Sequence, residues 1–64
     1  MSYDNSDAVY ESELKYAWKL YYEGVDEEGS RRKRKLQDAR NVLMNIPSGY
    51  SNRDDLMRYI EDML

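Results

Sequence analysis

The chain contains no cysteine and no histidine. Disulfides are therefore impossible, and the usual ligands of zinc and haem are missing. Catalytic triads, cysteine–histidine dyads and imidazole acid–base chemistry are excluded on the same ground. Phenylalanine is absent as well, and the three glycines are scattered rather than gathered into a phosphate-cradling loop. Apolar runs fall far short of the ~20 residues of a membrane span. The N-terminal MSYDNSD is acidic, unlike a signal peptide. These absences lead to the expectation of a soluble, cytoplasmic protein with no membrane insertion, no catalytic residues, no metal and no cofactor, and not an enzyme. Met1 and a helical pattern that reaches Leu64 add the expectation of a complete small gene product.

What is present is a 64-residue chain, enough for one domain. A domain of about 60 residues buries only about 60% of the surface its unfolded chain exposes. A core of that size supplies roughly 3–5 kcal/mol unless a metal, disulfide or partner assists. Charged residues make up 36%, yet seven tyrosines, one tryptophan and regularly spaced aliphatics argue for a folded chain.

The spacing predicts three helices, at about 7–24, 30–46 and 52–63, with residues 1–6 flexible. In the first, Tyr10, Leu14, Ala17 and Tyr21 form one stripe. Ser6 or Asp7 is its candidate cap and Gly24 its candidate stop. In the second, Leu36, Ala39, Leu43 and Ile46 repeat at helical spacing after a candidate N-cap at Ser30, and Pro47 closes the segment. In the third, Leu56, Tyr59, Ile60 and Met63 form the buried stripe, behind a capping box of Ser51 and Asp54. No strand-length alternation occurs. The expected fold is all-α, a small three-helix bundle in which an antiparallel hairpin is joined by a C-terminal helix.

Charge is segregated along the chain. Residues 1–29 carry eight acids against two lysines, whereas residues 30–46 carry six cations against Asp38. Five of those cations are consecutive: Arg31, Arg32, Lys33, Arg34 and Lys35. Successive helical side chains lie about 100° apart, so they cannot share a face. Arg32 and Lys35 project with Leu36 and Ala39, and Arg34 points nearly opposite. An antiparallel hairpin sets this run beside Glu23, Asp26, Glu27 and Glu28, which makes internal pairing the leading reading. An acidic protein partner and nucleic acid remain the alternatives. The chain's net charge of −3 and the brevity of the run weigh against nucleic acid.

Helix 1 carries a second apolar line, Val9, Tyr16 and Leu20. Either the third helix covers it or it faces a partner. Tyrosine and tryptophan favour interfaces, where a large amphipathic ring gives contact area at low entropic cost. Carboxylates suggest no chemistry: Asp26-Glu27-Glu28 lacks calcium-loop spacing, and Asp54-Asp55 occupy an ordinary first helical turn.

Tyr16-Ala17-Trp18-x-Leu20, Gly24, Ala39, Leu43 and Pro47 resemble the small-and-large packing positions and closing proline of a tetratricopeptide-like helix pair followed by a capping helix. The string YAWKL also resembles the start of a repeat in the helical domain of the mitochondrial fission adaptor family. The likeness spans roughly residues 14–60 and departs at residues 25–35, which are about six residues longer than the ~34-residue repeat allows. It implies a class of work, holding other proteins without chemistry, and no functional residue is carried over from it.

The expected function is a non-enzymatic protein–protein interaction module: an inhibitor, a modulator of phage type or an adaptor. Val9, Tyr16, Trp18, Leu20 and Tyr22 on helix 1 form the expected docking face for a larger protein. Arg31, Arg32, Lys33, Arg34 and Lys35 add electrostatic selectivity. A homodimer would bury the second line at least expense. Nucleic-acid binding through residues 31–35 is the alternative.

Overall fold

Helical periodicity carries through into an all-α chain. The structure is a computed structural model describing residues 6–64, with the Ser6 side chain outside the description; the expected flexible segment and the Ser6 cap fall there. Helix α1 spans Ser6–Asp26, α2 spans Gly29–Leu43 and α3 spans Arg53–Met63. No strand occurs among the described residues.

Contacts at both ends fix the directions. Near the first corner, Glu23 meets Lys35 and Gly24 lies against Leu36. At the far end, the Tyr50 hydroxyl donates to the Asp7 carbonyl at 3.0 Å, so α2 has returned to the start of α1. Helices α1 and α2 thus form an antiparallel hairpin. Chain order 50 to 59 then follows α1 from Tyr10 to Tyr21, through the Tyr10–Tyr50 and Tyr21–Tyr59 ring pairs. Helix α3 therefore runs alongside α1 and antiparallel to α2.

The core is aliphatic. Leu36, Leu43, Leu56 and Ile60 are its largest fully buried side chains, joined by Leu14, Ala17, Ala39 and Ile46. Ala17 and Ala39 are wholly buried, and Gly24 is buried as well. A Cβ on Gly24 would lie 3.1 Å from both Leu36 Cδ2 and Lys35 Cβ. Gly24 therefore does not stop α1, which continues to Asp26; its missing side chain lets α2 approach.

Other helix ends also differ from the sequence reading. Helix α2 opens on Gly29, at φ 63°, with Glu28 in the cap position and no side-chain cap bond, so Ser30 is not the cap. It closes at Leu43, three residues before the expected end. The chain then tightens into short-range turns, with Asn45 N–H donating to Val42 O and Ile46 N–H to Leu43 O. Ile46 stays buried even so. The Ser51–Asp54 capping box does not form, because Ser51 adopts a left-handed φ of 50°. Asp54 instead accepts from the Gly49 amide at 2.9 Å and from the Ser48 hydroxyl at 3.3 Å.

Candidate functional site

The basic run is built into the first corner. Helix α1 has no basic residue in its last turn, where its carbonyls lack intrahelical donors. Arg32 supplies them from the next helix: Nε donates to Glu27 O and Nη2 to Val25 O, each at 3.0 Å. Lys35 Nζ donates to Glu23 Oε1 at 2.9 Å. The Lys35 hydrogen bond holds the Glu23 carboxyl below its ordinary 4.5, and Glu23 in turn holds the Lys35 ammonium above its ordinary 10.5. Cations in the first turn of α2 oppose its dipole. Their pairing with the negative end of α1 offsets that cost.

Arg31, Lys33 and Arg34 remain exposed. An open groove beside them is lined by Glu27, Arg31, Arg34, Lys35 and Asp38, so two carboxylates share it with the cations. Val9 and Tyr16 are about half exposed, at 52% and 51%. Tyr16 lies near enough to Lys35 to contribute to the rise in that lysine's pKa. Leu20 does not join them. At 5% exposure it belongs to the core, because its place on α1 falls within the arc that also buries Ala17 and Gly24. The expected apolar line is therefore broken, and Leu20 offers no partner surface.

A different cluster forms where α1 meets α3. Trp18 pairs with Tyr21 edge-to-face at 5.8 Å between centroids, with Tyr22 at 5.7 Å and with Tyr59 at 6.3 Å. Tyr21 completes the group through Tyr22 and Tyr59. Trp18 Nε1 donates to Asn52 Oδ1 at 3.2 Å, which fixes the indole against the segment entering α3. Trp18 and Tyr21 are half-buried, whereas Tyr22 is 61% and Tyr59 47% exposed. Tyr59 was expected in the buried stripe of α3; Leu56 and Ile60 fill that place and Tyr59 leans out to the rings of α1. Tyr21 and Tyr59 are the members of this face that the sequence reading did not assign to a surface. A signal was present in the side-by-side Tyr21-Tyr22 pair, whose rings cannot both face the core.

The second corner is held by polar groups. Arg53 Nε donates to Leu43 O at 3.1 Å, closing the end of α2 as Arg32 closes α1. Its Nη1 donates to Asp54 Oδ1 at 2.9 Å. Asp54 is held below its ordinary 3.8, first by the Arg53 bond, with the Gly49 amide and Ser48 hydroxyl adding to it. Desolvation raises the Tyr50 phenol above its ordinary 10.0, helped by the charges of Asp7 and Glu11.

Among the described residues, no cluster of acidic groups is arranged to hold a metal ion, and no helix is long and apolar enough to cross a membrane. The chain matches no family model, no curated protein and no solved structure.

Proposed function

We propose that this chain is a non-enzymatic protein–protein interaction module, an inhibitor, modulator or adaptor, that docks on a larger protein through the aromatic face shared by α1 and α3. The observation that carries this reading is the four-ring cluster of Trp18, Tyr21, Tyr22 and Tyr59, with its two outer residues about half exposed to solvent. Aromatic side chains of this kind are enriched among the few residues that dominate binding energy. Their half-buried neighbours hold the rings in place, so little side-chain entropy remains to be lost on docking. The resemblance to tetratricopeptide-like helix pairs supports the same class of work.

Nucleic-acid binding by residues 31–35 is the weaker reading. Arg32 and Lys35 are engaged at the corner, and Glu27 and Asp38 lie in the groove with Arg31 and Arg34. Phosphate contacts also weaken steeply with salt, whereas an apolar interface holds.

The test is capture from a nuclease-treated lysate, washed at low and high salt, with three baits: the native chain, Tyr22→Ser/Tyr59→Ser and Arg31→Gln/Lys33→Gln/Arg34→Gln. A protein partner retained at high salt by the native chain and the triple variant, and lost by the tyrosine variant, is the expected result. Loss with the triple variant alone, or recovery only at low salt when nuclease is omitted, overturns the reading.

A further inference from the structure

We infer that the aromatic face recognises a cationic segment of its partner, with an arginine side chain stacked on one of its open rings, Tyr22 or Tyr59. This rests on the proposed docking role of that face and names the chemistry of what docks there.

Three observations lead to it. First, Tyr22 and Tyr59 are aromatic residues open to solvent, and a guanidinium is drawn to the face of such a ring by its quadrupole. Second, the surround is acidic. Asp55 and Asp62 stand four residues before and three after Tyr59, and Asp26 stands four after Tyr22, spacings that place each on the same helix face as its ring. All three are exposed. Lys19, three residues before Tyr22, and Arg58, three after Asp55 and four before Asp62, are the cations on this rim, so three carboxylates against two cations leave a balance of one negative charge. Third, these carboxylates have no ion-pair partner among the described residues, whereas Glu23 and Asp54 at the two corners are paired.

A guanidinium is planar and weakly hydrated, and it carries five donors that need acceptors at its edge. Stacked on such a ring, it turns that edge towards the carboxylates. A lysine ammonium satisfies the charge but not the plane. An acidic or purely apolar segment adds no counter-charge to Asp26, Asp55 and Asp62.

The chain's one tryptophan, Trp18, lies inside the cluster and serves as its own reporter. The experiment selects short random peptides on the intact protein, removes those that also bind Tyr22→Ser/Tyr59→Ser, and titrates the survivors by Trp18 fluorescence. Circular dichroism confirms that both proteins are helical. Arginine-bearing survivors are expected. Replacing their arginines by lysine should weaken binding several-fold, and Asp55→Asn/Asp62→Asn should weaken it about tenfold. Survivors that are acidic or purely apolar overturn the cationic assignment while leaving the aromatic face as a docking site. Arginine and lysine peptides that bind equally also overturn it, since plain charge attraction would then suffice. If nothing survives removal on the tyrosine variant, the docking role itself falls.

Discussion

The two flanks of α1 are finished differently. Towards α2, the seam is closed: Ala17, Gly24 and Ala39 let the backbones approach, Leu36 fills the gap, and Arg32 and Lys35 tie the end of α1. Towards α3, the contact is made by rings, and two of those rings are open to water. Two of the five consecutive cations, Arg32 and Lys35, thus serve as fastenings, while Arg31, Lys33 and Arg34 stay exposed; of the clustered rings, Tyr22 and Tyr59 are the ones most open to solvent. In so small a domain, each helix has few positions to divide between holding the fold and meeting a partner.

The largest expected effect comes from opening the closed seam. Leu36→Ala removes a fully buried side chain, a change that costs about 2–5 kcal/mol. A domain of this size holds only roughly 3–5 kcal/mol in total. The variant is expected to lose its cooperative thermal transition and all partner binding, and a sharp melt near the native temperature would show that the seam is not the fold's main support.

Changing the open flank should separate binding from folding. Tyr22→Ser/Tyr59→Ser is expected to keep native helicity by circular dichroism and to weaken partner binding by about tenfold or more, roughly 1.4 kcal/mol. Unfolding of this variant would mean that the rings are core after all.

Gly24→Ala tests how tight the approach is. The new methyl meets the Cβ of Lys35, which moves only with the α2 backbone, and the fully buried Leu36. Overpacking costs about 1–3 kcal/mol, against a helix-propensity gain near 1 kcal/mol, so a net loss of about 1 kcal/mol is expected. A raised melting temperature would show that the helices can part.

Much of this difference was legible in the sequence, and the misses have physical causes. The three helices, the aliphatic stripes and the pairing of Lys35 with the acidic end of α1 follow from spacing and charge alone. Leu20 was misplaced because an angular offset of about 120° from Leu14 can serve either a partner or a second packed helix; α2 and the small residues of α1 take that arc. Gly24 reads as a stop because glycine commonly ends helices, whereas here the need is for space. The caps were misread where loop residues compete: Asp54 satisfies Ser48 and Gly49 of the preceding turn, a contact that no local motif encodes. The aromatic face joins α1 to a residue some forty positions away, and only the path of the chain brings Tyr59 to Trp18.

Acid and alkali should loosen the two corners by opposite routes. Glu23 and Asp54 lie below their ordinary values, so their contribution is present above about pH 4 and is lost as pH falls through the depressed values. Lys35 and Tyr50 lie above theirs, so their contribution is full below about pH 10 and is lost as pH rises through the raised values. Thermal melts across pH should show a broad plateau between these limits. Asp54→Asn should flatten the acid flank, and an unchanged flank would remove Asp54 from the second corner's support. The smallest effect is expected from Arg31→Gln/Lys33→Gln/Arg34→Gln: exposed positions whose replacement should move stability by no more than about 0.5 kcal/mol in a denaturant titration.

The most direct measurement is a map of backbone and indole resonances as the captured partner is added to isotope-labelled protein. Docking on the aromatic face predicts that the Trp18 indole and the amides around Tyr22, Val25, Asp55, Tyr59 and Asp62 shift together, with residues 27–38 little changed. Shifts concentrated at residues 27–38, with a silent Trp18, would return the binding role to the basic run.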